Sequence, residues 1–292
     1  MKKTIALVVL LCAVFSCLSA CAKEAAPAPA PSASQYPKQM GKVKSTDTYT
    51  ENKVILWNDE TQRKFECYEV VPAGLGDGEK VPAIVYIHGL NGDAQSLIDE
   101  PEAMAASKIA GFTFETGISM VDGKRVTPSH YTYRVSDFEV TMAYVKSLPY
   151  VDTSRIFIYG QSYGGLVAMT VAPKHNADTA GLILESTGLD ATGSMVNANN
   201  QPMLEQHQIP KDWQTYVKQY EHDVIMCCSE GDTGVYPNGQ YTVDVFNERS
   251  AGTAAFISCP EGKHSFAAFS DAGKAMTLDA MRDLVLGSAA TK

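Results

Sequence analysis

The chain has 292 residues, with 33 Asp and Glu against 24 Lys and Arg and a formal net charge of −9. An acidic chain without a basic stripe is a poor binder of nucleic acid, so that class of partner is excluded. Residues 46–292 have the mixed composition of one large globular domain and contain no internal repeat.

The N-terminus has the layout of an export signal. Lys2 and Lys3 precede an apolar run over 5–15, which is too short to span a membrane. A Leu-Ser-Ala-Cys sequence that ends at Cys21 then resembles the cleavage box of bacterial lipoproteins. The resemblance implies that the signal peptide 1–20 is removed and that Cys21 carries lipid, which would hold the exported protein to a membrane of the bacterial cell envelope. A plain secretory signal peptide is the alternative.

The segment after Cys21 is rich in Pro and Ala. Such a tract cannot bury a core, and its prolines favour an extended conformation. We therefore expect residues 21–45 to be a tether between the lipid and a folded domain over 46–292.

Apolar runs and turn signals after the tether predict strands that alternate with helices. The predicted strands are 53–57, 64–71, 83–87, 112–115, 156–159, 181–185, 224–228 and 255–258, and the predicted helices are 96–110, 137–148, 166–172 and 272–286. This alternation indicates an α/β domain with a mostly parallel sheet of about eight strands and helices on both faces. A short cap is expected over about 186–222.

The fifth predicted strand runs into Gly160-Gln161-Ser162-Tyr163-Gly164, and a helix follows. A G-x-S-x-G pattern between a strand and a helix indicates a nucleophile elbow, a tight turn that holds the serine hydroxyl at its tip. Only glycine tolerates the crowding on either side of the serine. Without the flanking strand and helix, the same pattern also occurs in ordinary turns.

A serine hydroxyl is a weak nucleophile and needs a base within hydrogen-bond reach, which a carboxylate in turn orients. Asp232 follows the seventh predicted strand and His264 follows the eighth, in the order Ser, acid, His. Because parallel strands end at the same edge of the sheet, we predict that Ser162, Asp232 and His264 form a catalytic triad. Glu185 and Glu230 are alternatives for the acid.

The oxyanion of an acyl-transfer reaction needs backbone N–H donors. One donor is expected from Tyr163, the residue after the nucleophile, and the other from Leu90 in the loop after the third predicted strand. The alternative for His88 and Gly89 is an ordinary loop turn in which the His88 imidazole braces the loop.

Three further sets of residues leave alternatives open. A stripe at helical spacing in the cap either packs as core or lines an apolar pocket: Trp213, Tyr216, Val217 and Tyr220. The charges of the loop over 118–134 are either solvated or contact an anionic substrate: Lys124, Arg125 and Arg134. The cysteines of the domain are either free thiols or form a bridge between neighbouring strands: Cys67, Cys227, Cys228 and Cys259.

Four motifs together resemble the α/β-hydrolase superfamily, and within it the bacterial cinnamoyl and feruloyl esterases and related carboxylesterases. They are His88-Gly-Leu-Asn-Gly92, Val151-Asp-Thr-Ser-Arg-Ile156, Gly160-Gln-Ser-Tyr-Gly-Gly165 and Gly262-Lys-His-Ser-Phe266. The resemblance covers 46–292 and implies a serine carboxylesterase that cleaves aromatic or short-chain acyl esters without a metal or cofactor. It assigns Ser162, Asp232 and His264 to the triad and the two N–H donors to Leu90 and Tyr163.

Two departures from those esterases concern the substrate. Phe114-Glu-Thr-Gly117 stands where they often have an Asp-x-Arg-Gly-His-Gly-like loop, and the cap is shorter than the lid of feruloyl esterases. Two rival functions also follow from the sequence. One is a serine peptidase of the prolyl-oligopeptidase type, although the chain has no room for that group's large extra domain. The other is a non-catalytic surface binding lipoprotein.

Overall fold

The structure is a computed structural model that describes residues 35–90, 92–116, 119–121, 124–126, 131–189 and 212–287. The chain divides into an N-terminal unit, Met1–Gln35, and a main domain, Tyr36–Lys292. The predicted signal peptide, Cys21 and the Pro/Ala-rich part of the tether lie outside the described residues and stay predictions. Across the described ranges, no helix combines the length and the apolar character needed to cross a membrane.

A central β-sheet organises the main domain. The strands are β1 (Lys38–Ser45), β2 (Tyr49–Asn58), β3 (Arg63–Pro72), β4 (Val81–Ile87), β5 (Ala110–Phe114), β6 (Ser119–Val121), β7 (Lys124–Val126), β8 (Val151–Gln161), β9 (Gly181–Glu185), β10 (Asp223–Ser229) and β11 (Ala254–Cys259). Nine of them form one sheet in the order β1-β2-β3-β5-β4-β8-β9-β10-β11, and β6 pairs with β7.

The sheet is mostly parallel, as the alternation of strands and helices predicts. Neighbouring strands from β5 to β11 are parallel. The first three strands form an antiparallel extension at one edge. All eight predicted strands are present, and the predicted fold class is confirmed.

The ninth strand, β1, corrects the predicted domain boundary. The sequence predicts that Lys38–Ser45 belong to the tether, but these residues pair antiparallel with β2, from Lys38 opposite Ile55 to Ser45 opposite Thr50. All eight residues of β1 are exposed, so the strand has no apolar alternation. Because backbone hydrogen bonds rather than burial hold it, its sequence carries no strand signal.

Six α-helices surround the sheet in the described part of the chain: α1 (Asp99–Ala105), α2 (Tyr131–Ser147), α3 (Tyr163–Val171), α4 (Trp213–Lys218), α5 (Tyr236–Asn247) and α6 (Asp271–Leu286). The predicted helix over 96–110 is wrong in its extent. A 3₁₀ turn, Ala94–Leu97, precedes α1, and Lys108 has a φ of 58° that ends the helical segment before β5 begins. Helix α5 was not predicted.

The core lies on both faces of the parallel strands, where alternate residues point to opposite sides. One face packs against α2 and α3, with Val85, Ile158 and Leu182 among its buried residues. The other face, with Ile84 and Ile183, packs against α1 and α6. Because both faces are covered, the carboxyl ends of the strands are held rigidly, and the loops that follow them can carry precisely placed side chains.

The four cysteines of the domain are free thiols, and all four are buried: Cys67, Cys227, Cys228 and Cys259. The structure therefore contains no bridge between β10 and β11 among its described residues. Most of the predicted cap, 190–211, lies outside the described residues.

Candidate active site

The nucleophile elbow lies between β8 and α3, as predicted. Ser162 has φ 52° and ψ −119°, a strained conformation for a residue with a side chain. A Cβ atom on Gly164 would lie 2.0 Å from the Ile87 carbonyl oxygen, and one on Gly160 would lie 2.6 Å from the Gly164 carbonyl oxygen. Only glycine therefore allows α3 to start this close to β4 and β8.

Two hydrogen bonds fix the backbone of the elbow. The Ser162 N–H donates to the Glu185 carbonyl at 2.8 Å, and the Thr187 hydroxyl donates to the Ser162 carbonyl at 2.7 Å. Both partners belong to the end of β9 and the loop after it. The neighbouring strand therefore holds the turn in its strained conformation.

The structure brings the three predicted triad residues together. His264 Nε2 lies 2.8 Å from Ser162 Oγ, and His264 Nδ1 lies 2.6 Å from Asp232 Oδ2. The loops that carry Asp232 and His264 are joined, because the Ser229 hydroxyl donates to the Glu261 carbonyl. The distances are those of direct hydrogen bonds, so a proton can pass from the serine to the imidazole.

The electrostatics of the histidine suit a base. The hydrogen bond that His264 Nδ1 donates to the Asp232 carboxylate raises the pKa of His264 above its ordinary value, and the attraction of the same carboxylate adds to this, whereas burial opposes it. The Asp232 side chain is 12 % exposed and the His264 side chain 42 %. The carboxylate is thus shielded while the imidazole edge stays open to a substrate.

Neither alternative acid hydrogen-bonds to the histidine. The Glu230 carboxylate accepts a hydrogen bond from the Ser258 hydroxyl at 2.7 Å. Glu185 is fully buried and accepts from the Tyr159 hydroxyl at 2.7 Å. The geometry therefore favours Asp232 as the acid.

The loop of the predicted oxyanion hole lies directly against the elbow. Leu90 lines the same cleft as Ser162 and His264. A Cβ on Gly89 would lie 2.3 Å from Gln161 Oε1 and 3.4 Å from Ser162 Cβ, so a larger residue here would require the Gln161 side chain to move. Tyr163 follows the nucleophile at the start of α3. The donor roles of Leu90 and Tyr163 stay predictions.

The His88 imidazole braces the loop, as the alternative of a loop turn predicts. Its Nε2 accepts from the Thr116 N–H at 3.2 Å and lies 3.0 Å from the Thr116 hydroxyl. Because Nε2 is an acceptor, the proton is on Nδ1, which donates to the Gly89 carbonyl at 2.7 Å. The imidazole is buried and ties the loop to Thr116 in the segment after β5.

Arg134 is a buried residue of the site whose position the sequence analysis missed. It was expected to be solvated or to contact an anionic substrate, but it is fully buried. Its guanidinium donates to the carbonyl groups of His88, Gly89 and Leu90. No local signal in the sequence distinguishes it from the other charges of its loop. The side chains of Lys124 and Arg125 lie outside the described part of the structure.

The cleft beside the triad has a volume of about 270 Å³. It is lined by Gly89, Leu90, Gly92, Ser96, Leu97, Glu100, Gln161, Ser162, His264, Ser265, Phe266 and Ala267. Glu100 is the one titratable group among them besides His264, and burial raises its pKa to about 8. Most of this carboxyl is therefore neutral at neutral pH.

Backbone strain is concentrated around the cleft. Four of the six non-glycine residues with positive φ in the described ranges lie here: Ser162, Ser186 at 46°, Glu261 at 55° and Ser265 at 82°. The Ser265 N–H donates to the Ser186 hydroxyl at 3.2 Å, which links the loops after β9 and β11. Strained backbone of this kind persists only where its surroundings fix it, and it clusters at functional sites.

Three of the four residues of the apolar stripe of the cap pack as core, and the fourth, Tyr216, is half-buried. Trp213, Val217 and Tyr220 are buried in the cluster that covers α3, and none of them lines the cleft. His175 and His222 have structural partners, Glu139 and the Asn176 carbonyl. His130 and His207 lie outside the described residues. Within the described ranges, no three His, Cys, Asp or Glu side chains cluster so as to hold a metal ion.

A sequence profile of the family described as serine aminopeptidase S33 matches residues 78–226, just over half of the chain. The chain belongs to this family. The matched range includes Leu90, Ser162 and Tyr163, and the loops with Asp232 and His264 follow it. No curated protein sequence matches the chain.

Solved structures of similar fold include several hydrolases. The S-formylglutathione hydrolase of Agrobacterium tumefaciens is 12% identical with a TM-score of 0.67, and the match covers 85% of this chain and 99% of that one. Est1E of Butyrivibrio proteoclasticus, solved with ferulic acid bound, is 17% identical with a TM-score of 0.61 and coverages of 81% and 100%. A candidate dipeptidyl aminopeptidase IV of Bacteroides ovatus is 15% identical with a TM-score of 0.66. There the match covers 82% of this chain but spans only 36% of the longer protein.

Family and fold together confirm two predictions, the α/β-hydrolase fold and a serine hydrolase as the enzyme class. At these identities, the likeness to solved structures extends to the fold alone. Which bond this serine hydrolase cleaves is therefore argued from its own site.

Proposed function

We propose that the protein hydrolyses carboxylic esters through an acyl-enzyme on Ser162. The observation that carries the proposal is the hydrogen-bonded series from Ser162 through His264 to Asp232, with distances of 2.8 and 2.6 Å. This series lies at the carboxyl ends of the parallel strands and opens onto a cleft, as ester hydrolysis through a serine requires.

The first half of the reaction acylates the serine. The Ser162 oxygen attacks the ester carbonyl carbon while His264 Nε2 accepts the hydroxyl proton, and Asp232 stabilises the imidazolium. The backbone N–H groups of Leu90 and Tyr163 stabilise the oxyanion. The intermediate then collapses: the bond between the carbonyl carbon and the alcohol oxygen breaks, and His264 returns its proton to the leaving alcohol.

The second half releases the acid. His264 accepts a proton from a water molecule, whose oxygen attacks the acyl carbonyl carbon. The second tetrahedral intermediate collapses by breaking the bond to the Ser162 oxygen, which takes the proton back from His264. The products are the free carboxylic acid and the starting enzyme.

The size and lining of the cleft support small acyl groups. Its volume of about 270 Å³ lies below the usual range for drug-sized ligands, which starts at about 300 Å³. Leu97, Phe266 and Ala267 give it apolar surface. Short-chain esters and esters of single-ring aromatic acids are therefore the proposed substrates. Two of the similar structures are named for such chemistry, one with ferulic acid bound and one as an acetyl xylan esterase.

The direct test is turnover of p-nitrophenyl acetate, butyrate and octanoate by the purified domain and by its Ser162→Ala variant. We expect hydrolysis of the two short esters, little of the octanoate, and loss of activity in the variant. A fluorophosphonate probe should label the wild type and not the variant. Activity unchanged by Ser162→Ala would refute the role of this serine, and a folded wild type that neither turns over esters nor reacts with the probe would favour a binding protein.

A peptidase is the second candidate, because the matched family is described as a serine aminopeptidase. An aminopeptidase must bind the substrate's ammonium group, for which a carboxylate is the usual partner. The carboxyl in this cleft, Glu100, has a pKa of about 8 and so is mostly neutral at neutral pH. We therefore expect aminoacyl p-nitroanilides to be cleaved far more slowly than p-nitrophenyl esters. The reverse order would establish the peptidase.

The location of the enzyme belongs to the same proposal. The N-terminal sequence supports export and lipid attachment at Cys21, which would hold the hydrolase at a membrane of the cell envelope. Metabolic labelling with an alkyne fatty acid should tag the wild type and not the Cys21→Ser variant. A wild type that is unlabelled and freely soluble would contradict the anchor without affecting the proposed chemistry.

A further inference from the structure

A buried cation, the guanidinium of Arg134, binds the loop that carries the predicted oxyanion-hole residue Leu90. Arg134 lies in the first turn of α2 and is 0 % exposed. Its Nη1 donates to the His88 carbonyl at 2.8 Å, and its Nη2 donates to the Gly89 carbonyl at 3.2 Å and the Leu90 carbonyl at 3.3 Å. A single planar guanidinium therefore holds three consecutive peptide groups of the loop after β4.

The planarity of the peptide bond carries this restraint to the Leu90 N–H. The Gly89 carbonyl and the Leu90 N–H belong to one peptide group, in which they point in opposite directions. The carbonyl is fixed by Arg134 and by His88 Nδ1, which donates to it at 2.7 Å. The Leu90 N–H must therefore point away from the buried guanidinium, toward the side of the loop that lines the cleft.

The same guanidinium contacts the other predicted donor residue. Arg134 Cζ lies 4.8 Å from the centroid of the Tyr163 ring, within the range of a cation–π contact. The Tyr163 ring is buried, so this contact helps to fix the first residue of α3. Leu90 and Tyr163, whose N–H groups would bind the oxyanion, therefore both contact the Arg134 side chain.

The charge of Arg134 adds to this geometry. Burial lowers the pKa of Arg134 to about 10, so it remains protonated at neutral pH. The three carbonyl acceptors carry no formal charge and do not neutralise its positive field, although the nearby carboxylates of Glu115 and Asp137 also act on it. In a low-dielectric interior such a field stabilises negative charge that develops at the neighbouring site.

We propose that Arg134 is a positioning residue for the oxyanion hole, which aligns the Leu90 and Tyr163 N–H groups and stabilises the oxyanion electrostatically. The proposal rests on the proposed ester hydrolysis at Ser162. It assigns to Arg134 a role in the transition state and not in the binding of substrate. Its loss should therefore lower kcat and leave KM nearly unchanged.

The experiment compares p-nitrophenyl butyrate kinetics of the wild type, Arg134→Lys and Arg134→Ala. Loss of one oxyanion donor lowers kcat by about 10²–10³-fold, so we expect a fall of at least about 100-fold in Arg134→Ala, with KM changed by less than about threefold. Arg134→Lys keeps the charge but cannot bridge three carbonyls, so we expect an intermediate kcat. Millimolar guanidinium should restore part of the Arg134→Ala activity, which a merely structural role would not produce.

Arg249 provides a matched control. It donates to the carbonyls of Tyr220, His222 and Thr253 and lies 4.9 Å from the Phe246 ring centroid, at the opposite end of the strands from the cleft. Arg249→Ala should lose stability without the fall in kcat and without rescue. If Arg134→Ala fails to fold, Arg134→Lys carries the test.

The outcomes separate the two proposals. A wild type that is inactive and unlabelled by fluorophosphonate overturns the ester hydrolysis itself. An active wild type whose folded Arg134→Lys variant has the same kcat overturns the positioning role alone. The positioning role is also overturned if the Arg134 variants change only in KM, or if Arg249→Ala loses as much kcat as Arg134→Ala.

Discussion

Each ring nitrogen of His264 has a fixed partner, Ser162 on one side and Asp232 on the other. The partner on Nδ1 determines the tautomer, because a proton on Nδ1 leaves Nε2 free to accept the serine proton. The same hydrogen bond raises the pKa of His264. The orientation and the pKa of the His264 imidazole therefore both depend on Asp232, and removing this carboxylate should change both.

The first prediction concerns the pH dependence of that base. The imidazole must be neutral to accept a proton, so kcat/KM should rise with pH and level off above the pKa of His264, which lies above the ordinary value of about 6.5. In Asp232→Asn the main cause of the raised pKa is gone. We expect the rise to move to lower pH and kcat to fall by up to about 10⁴-fold. Profiles of p-nitrophenyl acetate hydrolysis from pH 5 to 9 measure both effects.

Glu230→Gln is the matched control for this prediction. Glu230 lies two residues from Asp232 but accepts its hydrogen bond from Ser258. The variant should keep the wild-type profile and turnover. If Glu230→Gln were the variant that lost activity and shifted the profile, the assignment of the acid to Asp232 would be wrong.

The triad residues follow predicted strands, so their positions could be predicted from the sequence. Ser162, Asp232 and His264 each follow an apolar run, and parallel strands end at one edge of the sheet. Arg134 could not be placed in this way. Its role depends on three carbonyl groups that lie more than 40 residues earlier in the chain. A charge in a polar segment gives no local sign that tertiary packing will bury it.

At the scale of elements, the edge strand β1 protects the sheet without contributing to its core. All of its residues are exposed, whereas β2 behind it carries buried residues such as Val54 and Leu56. Removal of β1 would leave the ten residues of β2 as an unpaired edge. Unpaired edges of this length favour association with other chains.

The second prediction tests this role by truncation. A chain that begins at Thr46 loses the pairing of β1 with β2 and the ion pair between Lys44 and Glu102, which contributes little to stability because Lys44 is exposed to solvent. Because four strands separate β1 from the elbow strand β8, we expect activity per folded molecule to stay within about twofold of the control. Light scattering on heating should show faster aggregation.

A chain that begins at Tyr36 is the control, since it keeps β1. If both chains aggregated at the same rate, β1 would not protect the edge. If the shorter chain lost its esterase activity while remaining folded, the strand would contribute to the site in a way its position does not suggest.

The elements that sequence reasoning missed have a common cause. Helix α5 contains Pro237 and Gly239, which have low helix propensity, and its packing decides its structure: a Cβ on Gly239 would lie 2.7 Å from Cys228 Sγ. Strand β1 buries nothing. By contrast, β9 was predicted to the residue, because all five of its residues are buried. Burial patterns are visible in a sequence, whereas close backbone approach and edge pairing are not.

For the molecule as a whole, a pair of buried carboxyl groups links the cleft to the core. Glu100 and Glu185 are 2 % and 0 % exposed, and the Tyr159 hydroxyl donates to Glu185 at 2.7 Å and lies 3.4 Å from Glu100. Burial, followed by repulsion from Glu185, raises the pKa of Glu100 to about 8. Folding therefore keeps a proton on this group that the unfolded chain releases at much lower pH.

The third prediction is the effect of that proton on stability. Between the unfolded pKa near 4.5 and the folded value near 8, the folded state binds more protons than the unfolded state, so the free energy of unfolding falls as pH rises. Glu100→Gln removes this ionisation and keeps an oxygen for the Tyr159 hydroxyl. As the pH rises from 5 to 8, the free energy of unfolding of the variant should increase relative to that of the wild type by an amount on the order of 3 kcal/mol, since each pKa unit is worth about 1.4 kcal/mol.

Urea unfolding at pH 5 and pH 8 measures this difference, and comparing the two proteins at each pH cancels the contributions of the histidines, which titrate in both. Glu102→Gln, two positions along α1, removes a carboxylate that is ion-paired with Lys44 instead of being isolated in the core. Between pH 5 and pH 8, the free energy of unfolding of this control should change by the same amount as that of the wild type. If Glu100→Gln also followed the wild type, Glu100 would ionise normally in the folded protein. The cleft would then carry a negative charge at neutral pH, and the argument against an aminopeptidase would fail with it.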